Sequence, residues 1–370
     1  MYIMKPAFRK NNSPFDVSIP CCAKRILGFG AEGNGSFCVF EGERAHVSEN
    51  FGDISFIENM NLFRASLAKM RNFLGGAVDC VACDMHPGYA SRAYAQEIAR
   101  ELGCEAVEVQ HHAAHVYSCA FEHGIADGDF VGIACDGTGY GSDGKIWGGE
   151  VFLCDKRVGS LEEQMMIGGE SAVLDPRKML FGIIHRFLSD DEILKLDMFR
   201  KSEVLVLSKQ ADEGFNVFET TSCGRVLDAV SAFLGVCRKR SYDGEPAIAL
   251  DAHAKGAKGF ELEPVVERKD RWILNTTKLF EFIYENIDED KRRLAATAHE
   301  YVASGLLEIA RKYDRDRKVV FSGGVANNSI ISGFFRKRGV LMNRDVACGD
   351  YGVSFGQCAY VGLKEGCFER

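Results

Sequence analysis

The sequence predicts an α/β protein built as two related lobes facing one cleft. A pattern of strand, glycine-rich turn and strand occurs twice, in RILGFGAEGNGSFCVF and in FVGIACDGTGYGSDGKIWGGEVF, starting roughly a hundred residues apart. Helical and strand patterns alternate after each, the order that lays helices over a sheet. The 370 residues, 46% of them hydrophobic, suffice for two or three cores.

Taken in order, residues 1–24 read as an irregular leader, broken by Asn11, Asn12 and Pro14. The first lobe spans residues 25–127. It opens with a hairpin whose turn carries Gly28, Gly30, Gly33 and Gly35, and a second turn follows at Glu41-Gly42-Glu43. A helix over 59–74 and a buried strand over 78–84 come next. GYASRAYAQEIAREL then places Tyr94, Ile98 and Leu102 on one helix face. The strand EAVEVQ and the histidine-rich QHHAAHVYSCAFEHG close this lobe.

The second lobe spans residues 128–349 and opens with its own hairpin, tightly turned at Ser142-Asp143-Gly144. Its middle is mostly helical. In TSCGRVLDAVSAFLG a Ser or Thr cap precedes Val226, Ala229, Val230 and Phe233. Leu294, Ala298, Val302 and Ile309 form the stripe of a longer helix. KVVFSGGVANN reads as a buried strand, a Gly-Gly turn and a helix start. Residues 350–370 read as a glycine turn and a C-terminal helix closing the cleft.

Composition excludes several classes of function. No apolar run approaches the roughly 18–20 residues of a membrane span, and the first residues lack the apolar stretch of a secretory signal. A net charge of −8 argues against a protein devoted to nucleic acid backbone. The fourteen cysteines are scattered, several inside apolar runs, which points to a reducing compartment, the cytoplasm. Cys80 and Cys83 share a strand, three residues apart, and so point to opposite faces rather than to one metal.

Three groups of residues are candidates for chemistry. Glycines of the second hairpin, Gly137 and Gly139 among them, let backbone N–H groups approach an anion. In SGGVANN, Gly323 and Gly324 end a strand and open a helix, offering free N–H groups to a phosphate. His111 and His115, four apart, share one helix face and can ligate one metal, while His112 points elsewhere. Asp136 and Asp350 sit at turns able to converge on them, and such an N/O set suits iron or zinc as a Lewis acid. Asp143 reads as a turn residue, Glu150 equally as a functional carboxylate or a solvated strand end, and Trp147 as a buried aromatic or a stacking surface. His86 and Arg177 lie beside prolines at expected loops.

In order along the chain, DMHPGYASRAYA, VQHHAAHVYS, DGTGYGSDGKIWGGEVF, GGESAVLDPRKML, TTSCGRVLDAVSAFLG, YDGEPAIAL, FSGGVANN and GDYGVSFGQ resemble the carbamoyltransferase domain of the HypF family, which matures nickel–iron hydrogenases. The resemblance implies the fold of the actin-like ATPase superfamily, two RNase-H-like lobes around a nucleotide cleft. It also implies transfer of a carbamoyl group from carbamoyl-adenylate to the C-terminal cysteine of HypE. By motif, His111, His115, Asp136 and Asp350 would hold the metal. Gly323, Gly324 and Asn327 would contact ATP, AMP or the adenylate, with Asp228 and Gly244 near ribose and base.

The acylphosphatase, zinc-finger and YrdC-like modules of that family are not within this sequence, so either a separate YrdC-like protein is expected to supply the adenylate or the chain is a piece of a longer one. YDGEPAIAL has Glu245 and Ala249 where the family shows Gln and Glu, and GAEGNGS lacks the usual lysine. Other readings of the same features are threonylcarbamoyl transfer to tRNA adenosine, a small-molecule O-carbamoyltransferase, a sugar- or acetate-type kinase and a non-catalytic HypE-binding scaffold.

Overall fold

The structure is a computed structural model and describes residues 14–368 apart from 74, 76 and 77. The first lobe comprises β1 (Phe15–Gly28), β2 (Cys38–Val47), α1 (Ile57–Phe73), β3 (Cys80–Asp84), α2 (Ala90–Leu102), β4 (Glu105–Val109) and α3 (His111–Glu122). Next come β5 (Phe130–Tyr140), β6 (Ile146–Leu153), β7 (Lys156–Leu161), β8 (Gln164–Ile167), α4 (Glu170–Leu174), α5 (Pro176–Ile184), α6 (Asp190–Lys195) and α7 (Lys201–Glu213). They are followed by β9 (Val217–Thr220), α8 (Cys223–Phe233), α9 (Glu245–Ala254), β10 (Val266–Arg268), β11 (Trp272–Leu274), α10 (Thr277–Glu285) and α11 (Lys291–Arg311). The chain closes with β12 (Lys318–Ser322), α12 (Ser329–Arg336), β13 (Leu341–Met342) and α13 (Val353–Lys364).

The two sheets repeat one topology. In the first, the order is β2-β1-β3-β4; in the second, the same relation recurs as β6-β5-β12-β13, extended beyond β6 by β7, β11 and β10. In both, the opening strand pairs antiparallel with its hairpin partner and parallel with a later strand on its other side. This is the arrangement of two RNase-H-like lobes, and the paired hairpins of the sequence are its core.

Five layers stack against one another. On the outer face of the first sheet, Met60, Phe63 and Ile98 of α1 and α2 pack on Leu27, Val39 and Val81. Between the sheets lie α13, whose Phe355 and Cys358 meet Ile26 and Phe40, and α3, whose Val116 and Tyr117 meet Phe130 and Phe152. On the outer face of the second sheet, α5, α8 and α11 build the largest core. Two glycines let the middle layer close up: a Cβ on Gly28 would lie 2.3 Å from Ser354 O, and one on Gly356 would lie 2.0 Å from Ala114 O.

The structure corrects the extent of the leader. Residues 15–24 belong to β1, where Phe15, Val17 and Ile19 alternate with exposed Asp16 and Ser18 as a half-covered strand requires. Pro20 is tolerated because it falls in the register shift between Ser18 and Cys22, where β1 and β2 are out of step. The rest of that leader, residues 1–13, lies outside the described residues. Cys80 and Cys83 behave as expected, packing into different cores on opposite faces of β3.

Candidate functional site

The site begins with helix α3. Gln110 caps its first turn, accepting the Ala113 N–H at 2.9 Å, and its amide donates to Tyr140 O at 2.9 Å, tying the helix to the end of β5. His111 and His115 lie one turn apart and are 1% exposed. Opposite them, the register of β5 on β6 shifts between Cys135 and Gly139, an irregularity that re-aims Asp136 out of the ladder. Asp350 arrives from the turn ahead of α13. Its approach is fixed from α3 itself: the Glu122 carboxylate accepts the N–H groups of Arg344, Asp345 and Val346 at 3.2, 2.7 and 2.8 Å.

The ligand atoms of His111, His115, Asp136 and Asp350 all lie within 4.8 Å of one another. His111 Nε2 is 3.2 Å from Asp136 Oδ2 and 3.2 Å from His115 Nε2, and both imidazoles are 3.6 Å from Asp350 Oδ1. Burial opposes charge on all four. Even so, hydrogen bonds hold the imidazoles above their ordinary pKa and the carboxyls below theirs. A divalent cation replaces such shared protons, and two imidazole nitrogens with two carboxylate oxygens fit iron or zinc. His111 Nδ1 donates to Asp84 Oδ2 at 2.8 Å, which turns Nε2 toward the other three residues.

A cleft of about 350 Å³ is lined by Asp136 and Asp350 together with Gly137, Arg225, Gly324, Asn327, Gly244, Ile248 and Asp251, and by Asn34 of the first hairpin. The candidates Gly137, Gly244, Gly324 and Asn327 therefore line one space together with two of the four metal candidates. Gly323, Gly139 and Asp228 do not line it. Gly323, at φ 103°, is needed because a Cβ there would lie 2.2 Å from Cys135 O. A Cβ on Gly139 would lie 2.4 Å from the His112 ring and 2.9 Å from that of His111, so this glycine seats the histidines. Asp228 is buried and bound to Arg225 at 3.0 Å.

Several local expectations change. The Gly-Gly turn opens a single 3-10 turn, Gly324–Asn327, and not an α-helix. Helix α12 begins only at Ser329, and its first N–H groups are already taken by Asn328 and by the Asp251 carboxylate. Any phosphate contact from this segment must come from the turn. Glu150 is fully buried, holding Arg157 Nε at 2.6 Å along with the Thr221 hydroxyl, so it is a structural anchor. Trp147 is buried under the Arg157 guanidinium at 3.7 Å and donates to Asp143. His112 is buried beside it, and burial and the neighbouring His111 push its pKa well down. His86 stacks on Tyr89 at 4.1 Å, outside the four-residue cluster, and Arg177 pairs with Asp175 on a different surface.

Sequence reasoning missed Asp84, Glu122, Arg225 and Asp251. The signal for Asp84 was a carboxylate ending the wholly buried strand CVACD; for Arg225, the one cation of helix α8, whose eleven residues are all buried, with Asp228 three residues on to pair it.

Comparison with known proteins agrees with this fold. Residues 132–357 match the family described as the second subdomain of the carbamoyltransferase Kae1-like domain, and residues 22–122 match the HypF Kae1-like domain. The chain is 37% identical over 364 residues to the probable carbamoyltransferase HypF of Methanocaldococcus jannaschii, covering 93% of this chain and 47% of that protein. It is 28% identical to a carbamoyltransferase HypF homolog of Cupriavidus necator, covering 92% of each. Full-length HypF in a phosphate- and nucleotide-bound form superposes with a TM-score of 0.85 at 29% identity, over 94% of this chain and 56% of that one. HypF of T. kodakarensis gives a TM-score of 0.85 at 32% identity, over 95% and 49%. The chain thus spans about half the length of most of these relatives. It belongs to the HypF family of carbamoyltransferases and corresponds to their Kae1-like transferase domain.

Proposed function

We propose that the chain passes a carbamoyl group from carbamoyl-adenylate to the C-terminal cysteine thiol of a HypE-like acceptor. The observation that carries this reading is that Asp136 and Asp350 belong both to the four-donor cluster and to the wall of the cleft. A nucleotide in the cleft would thereby place its terminal group beside the cluster, and one HypF relative is known in a nucleotide-bound form. His111, His115, Asp136 and Asp350 would hold iron or zinc, which when bound polarises a carbonyl oxygen as a Lewis acid.

The work of the chain's own residues is binding and orientation. Gly137, Gly324 and Asn327 line the phosphate end and Gly244 the ribose and base end, while Asp84 keeps His111 in one tautomer. The acceptor thiolate attacks the carbamoyl carbon, the carbon–oxygen bond to phosphate breaks, and AMP leaves with the bond's electron pair. The nucleophile comes from the partner. All fourteen cysteines are free, and those whose pKa shifts, Cys80 and Cys83 among them at about 12, are pushed upward, away from activation. The donor would come from a YrdC-like adenylating protein or module, and the setting would be the cytoplasm. No helix among the described residues is long and apolar enough to cross a membrane.

The test incubates metal-loaded protein with carbamoyl-adenylate and a peptide of the HypE C-terminus. A mass increase of one carbamoyl group on the peptide cysteine, abolished by His111→Ala, is expected. No adduct with folded, metal-loaded protein would overturn the reading.

A further inference from the structure

Four aspartates line the cleft, Asp136, Asp243, Asp251 and Asp350, and among the described residues its single cationic side chain is Arg225. Asp136 and Asp350 would be offset by the cation they hold, but a phosphate further along the cleft still meets Asp243 and Asp251, and a positive side chain is needed to offset these. Arg225 is 4% exposed, and its guanidinium is held from one side only, by Asp228 at Nη2. Its Nε and Nη1 are buried without a hydrogen-bond partner among the described residues. Leaving two donors of a buried cation unmade costs free energy that an incoming oxyanion would recover.

Its location says which part of a ligand it would meet. Nη2 lies 3.5 Å from the place a Cβ on Gly137 would take, one residue past Asp136. The guanidinium thus sits beside the backbone next to Asp136 of the four-donor cluster, in the same cleft that Gly244 and Ile248 line. In an adenylate spanning that cleft, the group between the carbamoyl and the nucleoside is the phosphoryl. We propose that Arg225 is the phosphoryl-binding residue of this cleft, with Asp228 as the residue that positions it. Only one Asp228 oxygen is engaged this way, Oδ2 at 3.0 Å. The inference rests on the nucleotide reading above.

The test compares two probes by calorimetry on the whole chain, AMP and adenosine, which differ only in the phosphate. Wild-type protein should bind AMP more tightly. Arg225→Met should shrink the AMP-over-adenosine preference by about 10–100-fold, the range of charge-assisted hydrogen bonds, with adenosine affinity unchanged. Truncating Arg225 strands the Asp228 carboxylate, so Arg225→Met/Asp228→Asn is measured alongside, with thermal melting to show that each variant folds. Arg225→Lys, which keeps the charge and loses the fork, should retain part of the preference. A preference undiminished in the folded Met variants, or in Arg225→Lys where those do not fold, overturns the assignment to Arg225 alone. Wild-type protein that binds neither probe overturns the nucleotide reading and this proposal with it.

Discussion

Replacing Asp84 by asparagine tests whether His111 is oriented for metal by its neighbour. Asp84 is fully buried and accepts from His111 Nδ1 at 2.8 Å and from the His86 N–H at 2.9 Å. The substitution keeps shape and leaves one acceptor oxygen, while removing the charge that favours Nδ1–H over Nε2–H. Outer partners of this kind are worth roughly 10–100-fold in metal affinity, or about 1.4–2.7 kcal/mol. Competition for zinc against a chromophoric chelator reads this directly, with melting curves confirming the fold. His111→Ala, which removes a ligand, should lose more. Unchanged affinity in Asp84→Asn would refute the orienting role. A loss equal to that of His111→Ala would make Asp84 a ligand itself.

Three further outcomes follow from the geometry. Gly139→Ala drives a Cβ to within 2.4 Å of the His112 ring. It should destabilise by about 1–3 kcal/mol in denaturant titration and weaken zinc binding in the chelator assay. Glu122→Ala frees the Arg344, Asp345 and Val346 N–H groups that fix the approach of Asp350. A loss of about 1.5–3 kcal/mol is expected, and an unchanged zinc affinity would show that the loop is held by other means. Burial pushes the Cys83 and Cys348 thiols up to about 12, so the fold favours their neutral form. Stability from these thiols is intact below the unfolded-state pKa near 8.5 and falls as pH rises toward 12, by about 1.4 kcal/mol per pH unit for each thiol. Denaturant titrations at pH 8–10.5 should show a shallower decline in Cys83→Ala than in wild type.

The parts of this protein written locally in the sequence were legible there. The glycine hairpins, the i, i+4 spacing of His111 and His115 and the carboxylates at Asp136 and Asp350 need only short windows, and the four residues do converge. What could not be read depends on which elements become neighbours. Asp84 reaches His111 only because β3 and α3 end side by side, and Asp251 takes the α12 N–H groups only because α9 packs there. A Gly-Gly turn after a strand looks the same whether its helix starts at once or five residues later. Phe15, Val17 and Ile19 alternate as a strand should, but Asn11, Asn12 and Pro14 ahead of them hid the pattern.

The five-layer stack also bears on the order in which ligands arrive. Helix α3 is packed on the second sheet and, through α13, on the first, so the lobes cannot part at the histidine end without opening two cores. The His111 and His115 side chains are 1% exposed and that of Asp350 is 27% exposed, so the cluster is reached from the cleft that Asp350 lines. An ion bound by His111 and His115 would occupy the bottom of a blind pocket, and a nucleotide would sit above it as a stopper. Metal should therefore load first and exchange slowly while nucleotide is bound, making AMP an inhibitor of metal removal by chelators.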